Sequence, residues 1–267
     1  MRSGTVTLVD TLKQKTESHI ISASMSFGVS NHLSLSASVP LIINRSVNKS
    51  LDRTQTNFGD LSVTAQLFFG TRLFSKPVNG QVALGATFPV GGGVTNVMTD
   101  ERNFASGTVD PIASLIIAAG ISPGWILTGK FFARQVVASS SNNQRTGNHY
   151  SYVLETNYAP LGRSYTANLG MLAVSRSQDE ISGSLFPNSG GSWIYAIAGG
   201  SKTLVGDGES AIRLWTEFQL PVYINVTDVQ LTEKWNLRFG LSTGISIFGH
   251  DEQNKKPDIF TVPGTRN

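Results

Sequence analysis

The sequence predicts an all-β protein: a transmembrane antiparallel up-and-down β-barrel of about twelve strands. Three observations lead there. Residues 58–70, FGDLSVTAQLFFG, alternate with period two, Leu61, Val63, Ala65, Leu67 and Phe69 against Ser62, Thr64 and Gln66. Such alternation sends successive side chains to opposite faces of a strand. Stretches of this kind recur along the chain, and the links between them are short and long in turn. Charged residues within the stretches fall on the face opposite the large apolar ones.

Taken in order, residues 5–10 alternate weakly and form a first candidate strand. In 18–29, Ile21, Ala23, Met25, Phe27 and Val29 oppose Ser22, Ser24, Ser26 and Gly28. After a Ser30-Asn31 turn, Leu33, Leu35, Ala37, Val39, Leu41 and Ile43 oppose Ser34, Ser36 and Ser38. Serines in series on one face ask for water or for each other, because a buried hydroxyl without a partner is costly. A polar loop at 46–57 leads into 58–70. Strands follow at 81–90, 108–121, 125–138, 149–159, 164–176, 193–204, 209–222 and 234–248. The links near Ser30, Arg72, Ser122, Leu161 and Asp207 are short, and those near Leu51, Met98, Ser141, Pro187 and Thr227 are long. Turns at one end and loops at the other describe a meander of the outer-membrane type, with both termini at the short-turn end. Residues 1–248 then form the barrel and 249–267 a polar C-terminal tail.

Composition agrees. Charged residues are 15% of the chain, against roughly 25% in soluble globular domains. The polarity comes from Ser, Thr, Asn and Gly instead. A net charge of +3 with no basic stripe gives no sign of nucleic-acid binding. There is no cysteine, which removes disulfides and thiolate metal sites from consideration. No apolar run reaches the roughly 18 residues of a spanning helix. No signal peptide opens the sequence, which reads as a mature or trimmed form.

A closed barrel satisfies every backbone group in a bilayer, with an apolar outside and a wet inside. Strand parity puts Asp60, Ser62, Thr64, Gln66, Asp110, Lys130, Arg134, Glu155, Arg213, Glu217 and Arg238 on the inside, lining the lumen. Counting from the loops sets Lys130 near Glu155 and Glu217 near Arg238, giving two interior ion-pair clusters. These either fill the barrel or set selectivity for a permeant. Asp60 and Asp110 each begin a strand returning from a long loop. Three roles fit them: tying a folded-in loop to the wall, forming a polar ring at the mouth, or ordinary turns. Aromatic residues at strand ends (Phe68, Phe69, Phe74, Trp125, Tyr150, Tyr158, Trp193, Tyr195 and Trp235) suit interfacial girdles.

Enzyme and cofactor signals are thin. The histidines His19, His32, His149 and His250 show no paired metal-ligand spacing, and no GxSxG stands in the chain. Gly91-Gly92-Gly93 lacks the Lys-Ser/Thr sequel of a phosphate cradle. No cofactor, metal site or catalytic group is expected. The residual enzyme reading is an outer-membrane hydrolase using His149 with a nearby Ser or Asp.

Leu33-Ser34-Leu35-Ser36-Ala37-Ser38-Val39-Pro40, a loop, then Phe58-Gly59-Asp60-Leu61-Ser62-Val63 resemble a known family. It is the outer-membrane proteins identified with meta-pathway phenol degradation, whose strands end in an "lPy"-like turn and resume at "GlGDl". Here Leu41 stands where the aromatic is usual and Phe58 replaces the first glycine. The Asp110 segment looks like that family's second acidic strand start. The resemblance implies a bacterial outer-membrane barrel, in contact with membrane lipid, that passively passes small molecules, often aromatic or hydrophobic. The other readings are a scaffold or sleeve holding a protein partner through the tail, the hydrolase, and a soluble β-sandwich lectin.

Overall fold

The computed structural model describes residues 2–4, 6–7, 15–47, 52–91, 105–140, 143–160, 164–186, 189–206, 211–230 and 234–242. The tail at 249–267, residues 92–104 of the Gly-rich loop, and the Asp207-Gly208 hairpin lie outside them. The strands are β1 (Arg2–Gly4), β2 (Val6–Thr7), β3 (Lys15–Ser30), β4 (Leu33–Val47), β5 (Asp52–Phe58) and β6 (Asp60–Leu73). Then come β7 (Lys76–Pro89), β8 (Asp110–Ser122), β9 (Trp125–Arg134), β10 (Gln144–Arg145), β11 (His149–Tyr158) and β12 (Tyr165–Arg176). Last are β13 (Glu180–Ile181), β14 (Ser184–Leu185), β15 (Gly191–Val205), β16 (Ile212–Gln230) and β17 (Asn236–Ser242). No helix occurs among the described residues.

One antiparallel sheet of 14 strands holds the chain, in the order β2-β1-β16-β15-β12-β11-β9-β8-β7-β6-β4-β3. Off that path, β17 pairs with β16 and β5 with β4. Consecutive long strands are neighbours, as a meander requires. Tight turns join them at one end. Phe74 and Ser75 take φ of 48° and 63°, the positive pair of a type I′ hairpin, which matches strand twist. Pro123-Gly124 turns with Gly124 at φ 78°. At the other end the connections are long. Two of them interlock: β10 pairs β13 and β13 pairs β14 in a small second sheet built from residues 144–185.

Three parts of the sequence reading differ most from the structure, beside smaller shifts such as β7 beginning at Lys76 and β9 ending at Arg134. Most of the loop expected at 46–57 is strand, because β5 pairs with β4 from Leu41↔Phe58 to Val47↔Asp52. That hairpin's tip is clasped by a forked Arg45–Asp52 pair at 2.6 and 3.0 Å, whose guanidinium holds the Asp52 carboxyl below its ordinary range. β16 continues to Gln230 through the loop expected near Thr227. The first strand, expected at 5–10, is β1–β2 instead, and β1 pairs with the far end of β16 (Arg2↔Gln230, Gly4↔Val226).

β5 and β6 form one continuous strand with a bulge at Gly59. Leu41 faces Phe58 and Ser38 faces Ser62, so one strand spends an extra residue. Gly59 N–H donates to Pro40 O at 2.8 Å. An extra residue flips the alternation, so Phe58 points outward while Asp60, two positions on, points inward.

Every buried non-glycine side chain of the long strands lies on one face. It includes polar residues such as Gln66, Gln81, Thr128, Glu155 and Gln219. The other face leaves Met25, Leu67, Leu84, Leu154, Leu169, Phe218 and Phe239 exposed. Among the described residues no second layer packs on this sheet. Its polar face is buried because the sheet curls through a half-barrel around it, and the apolar face is the outside. A soluble sandwich would do the opposite. Leu169, 68% exposed in mid-strand, tests this. Leu169→Lys is expected to lower the stability of the lipid-inserted protein by about 2–4 kcal/mol, read from urea unfolding in vesicles. An unchanged or raised midpoint would restore the sandwich.

Candidate functional site on the inner face

The registers trace the inner face from strand to strand. Ser38, Ser62 and Thr87 lead to Asp110, and Ile112, Arg134, His149 and Arg176 form a second row. Ile116, Lys130, Val153 and Leu172 form a third, and Thr128, Glu155 and Gly170 a fourth. Glu217 pairs with Arg238 and Arg213 with Ser242. Asp60, Ser62, Thr64, Gln66, Asp110, Lys130, Arg134, Glu155, Arg213, Glu217 and Arg238 therefore share this one face.

β3, β4 and β6 supply a wall of hydroxyls. The Ser24 and Ser38 oxygens lie 3.0 Å apart, as do those of Ser26 and Ser36. Ser34 donates to Gln66 Oε1 at 3.2 Å. The serines thus satisfy one another across the strands.

An ionic cluster stands at the loop end. Arg134 reaches Asp110 Oδ2 through Nη2 at 2.6 Å and Nε at 3.0 Å, and Asp60 Oδ2 through Nη2 at 2.9 Å. Asp60 Oδ1 accepts the Ser106 backbone N–H at 2.9 Å, and the Thr108 hydroxyl donates to Asp110 Oδ1 at 2.8 Å. Asp110 is fully buried. Both aspartates thereby fasten residues 105–109, the return of the long loop, to the wall. The planar guanidinium suits this because one fork serves two carboxylates. Parity alone gave no sign that Arg134 joins these two residues, since the three come from three different strands, β6, β8 and β9.

Deeper along the wall, Lys130 Nζ lies 2.7 Å from Glu155 Oε1, with the amine part exposed and the carboxylate buried. Asn157 Nδ2 donates to Thr128 and, at 3.4 Å, to the same carboxylate. The second expected pair has the right register and the wrong contact. Glu217 lies directly opposite Arg238, but its Oε1 accepts Gln219 Nε2 at 2.7 Å. No Glu217–Arg238 ion pair forms among the described residues.

Alternation also concealed an apolar wall. Leu172, Tyr195 and Ile197 cluster on the inner face, with Val153, Val174 and Trp193 against them. Phe68 pairs with Gln81 and is inward too. Phe68, Trp193 and Tyr195 thus leave the expected girdle. Trp125 and Tyr158 remain outside, their rings tilted at 39° with centroids 4.8 Å apart. His149 faces inward, its ring edge-on to Phe132 at 5.9 Å. Among the described residues no hydroxyl or carboxylate is paired with its imidazole, so the hydrolase reading gains no triad geometry.

A polar, ion-paired interior inside an apolar exterior is barrel geometry, and one comparison of structures agrees. The chain superimposes on the crystal structure of an outer membrane channel from Pseudomonas putida F1 with a TM-score of 0.62 and 15% identity. The match covers 90% of this chain and 86% of that one. The fold is thus the all-β, antiparallel barrel fold that this channel has. No protein-family model matches the sequence, and no curated protein matches it.

Arg134→Met would leave two buried carboxylates facing each other without a cation. Breaking a buried pair in this way costs about 3–5 kcal/mol, expected as a lower urea midpoint in vesicles. Neutralising all three positions together (Asp60→Asn, Asp110→Asn, Arg134→Met) is expected to recover part of that loss. A triple variant no better than Arg134→Met would show that the cluster is not the unit described.

Proposed function

We propose that this chain is a channel in the bacterial outer membrane for passive uptake of small molecules, aromatic or hydrophobic ones among them. The observation that carries the proposal is the two-sided inner face. A hydroxyl wall on β3, β4 and β6 is matched by an apolar, aromatic wall on β11, β12 and β15, with the charges between them largely neutralised. Arg134 is held by two carboxylates and Lys130 by one, so an ion passing along the wall from β6 to β11 would meet few unpaired charges. A neutral solute with one polar edge would meet a partner on each side. The fold of a known outer-membrane channel supports the reading, as does the sequence resemblance to the phenol-degradation barrels.

In this proposal Asp60, Ser62, Thr64, Gln66, Asp110, Lys130, Arg134, Glu155, Arg213, Glu217 and Arg238 line the pathway. The tail at 249–267 remains the proposed contact for any protein partner. Liposomes containing the purified protein are expected to admit phenol-sized neutral solutes faster than protein-free liposomes, and faster than they admit benzoate-sized anions. Replacing Glu155 by Gln frees the Lys130 charge and is expected to raise the anion rate selectively. Liposomes no more permeable than controls would favour the scaffold reading and end the channel one.

A further inference from the structure

We propose that the outer rim of the loop end, where β12, β15 and β16 run out, binds the sugar headgroup of an outer-leaflet glycolipid. The inference rests on the outer-membrane placement proposed above. A cavity of about 430 Å³ opens there, lined by Ser175, Ser177, Gln178, Ser192, Asn225 and Thr227 among others. Ser175 pairs with Ser192 and Ser192 with Asn225, so these three form one row on the outward face. One rung below, the same face carries Ala173, Ile194 and Tyr223. Polarity therefore switches within a single step of the pleat.

The height of that step is meaningful. Ten residues of β12 separate Tyr165, near the turn end, from Ser175, about 33 Å of strand. At the roughly 40° tilt of such barrels this spans the roughly 25 Å apolar band. The row thus stands where the acyl region ends and sugar headgroups begin.

The chemistry of the cavity points to a polyhydroxylated ligand. The Ser175 and Ser192 hydroxyls and the Asn225 amide form no hydrogen bond with the described residues, which leaves donors and acceptors available together. The charge at the back is already neutralised, because Arg176 Nη2 lies 2.5 Å from Asp179 Oδ1. Tyr150, paired with Ser175, and Tyr223 flank the row on the same face and offer apolar surfaces to the C–H face of a sugar ring. The floor is kept low by Gly191 at φ 146°, where a Cβ would come within 2.7 Å of Asn225 O.

The test uses the full chain in nanodiscs of phosphatidylethanolamine and phosphatidylglycerol, with and without lipopolysaccharide. The readouts are the temperature at which the heat-modifiable gel band converts and the lipopolysaccharide retained on purification. Lipopolysaccharide is expected to raise the wild-type conversion temperature. The Ser192→Val/Asn225→Val variant, whose two changes form one cross-strand pair on the outward face, is expected to lose most of that shift and most of the retained glycolipid. The single Ser175→Val change is expected to lose part of both. Equal shifts in wild type and variants would overturn the proposal. A full shift from the delipidated core oligosaccharide alone would overturn the membrane-borne source. If the chain gives no heat-modifiable band in any disc, the barrel reading fails first and this one with it.

Discussion

Everything in this structure depends on the pleat keeping its parity from strand to strand. A ladder joins residues of the same face, and a slip of one residue turns every side chain of a strand over. Here a slip would move Lys130 and Arg134, or Arg213 and Glu217, from the interior to the lipid side, at about 2–4 kcal/mol for each Lys or Arg. Register is therefore strongly specified along β9 and β16. Where parity does change, an extra residue absorbs the change. Gly59 does this between β5 and β6, and Val222 does it where Ile194 faces Tyr223 but Tyr195 faces Pro221. Proline lacks the N–H of a ladder bond, so a bulge is one of the few sheet positions open to it.

The same curl that hides polar groups raises the stakes of pairing them. Asp110 is fully buried, and a carboxylate there is tolerable only with its hydrogen bonds filled. Arg134 and Thr108 supply them, while Asp60 answers the backbone of Ser106. The loop end is thus built into the wall. A second set of contacts does the same for the neighbouring loops. Asp179 accepts from the Gly147 N–H at 2.7 Å and from Arg176, and Arg145 Nη2 donates to Val136 O at 2.7 Å. Lys130–Glu155 differs in kind, since its amine stays part exposed and its partner can be exchanged with water at smaller cost.

Alternation and the placement of charges made the fold class and the shared face of the polar residues legible, because both are properties of single strands. What escaped has a physical reason in each case. In 193–198 both parities are apolar, Trp193, Tyr195 and Ile197 against Ile194, Ala196 and Ala198, so nothing in the pattern separates inside from outside. Position along the strand suggested a girdle; the ladder turns those rings inward. The Asp60–Arg134–Asp110 cluster depends on the stagger among β6, β8 and β9, which spacing in the sequence does not encode. Glu217 and Arg238 show the converse. Their register was legible, but a nearer amide, Gln219, takes the carboxylate.

Strand direction explains why an even count matters and where the N-terminal stretch belongs. β3 descends from the loop end at Lys15 to the turn at Ser30, and β17 also descends, with Asn236 opposite Gln219 and Ser242 opposite Arg213. Those two edges would meet in parallel, which an up-and-down barrel does not allow. β1 lies on the same edge of β16 as β17, higher up, and β2 turns back antiparallel to it. β2 therefore rises toward the loop end, antiparallel to β3, and the ordered sheet terminates in β2 at one end and β3 at the other. Of the described strands on that edge, β2 is the one whose direction permits closure against β3. Val6–Thr7, inside the weakly alternating stretch, runs in that direction, and β1 before it is paired at the rim of β16.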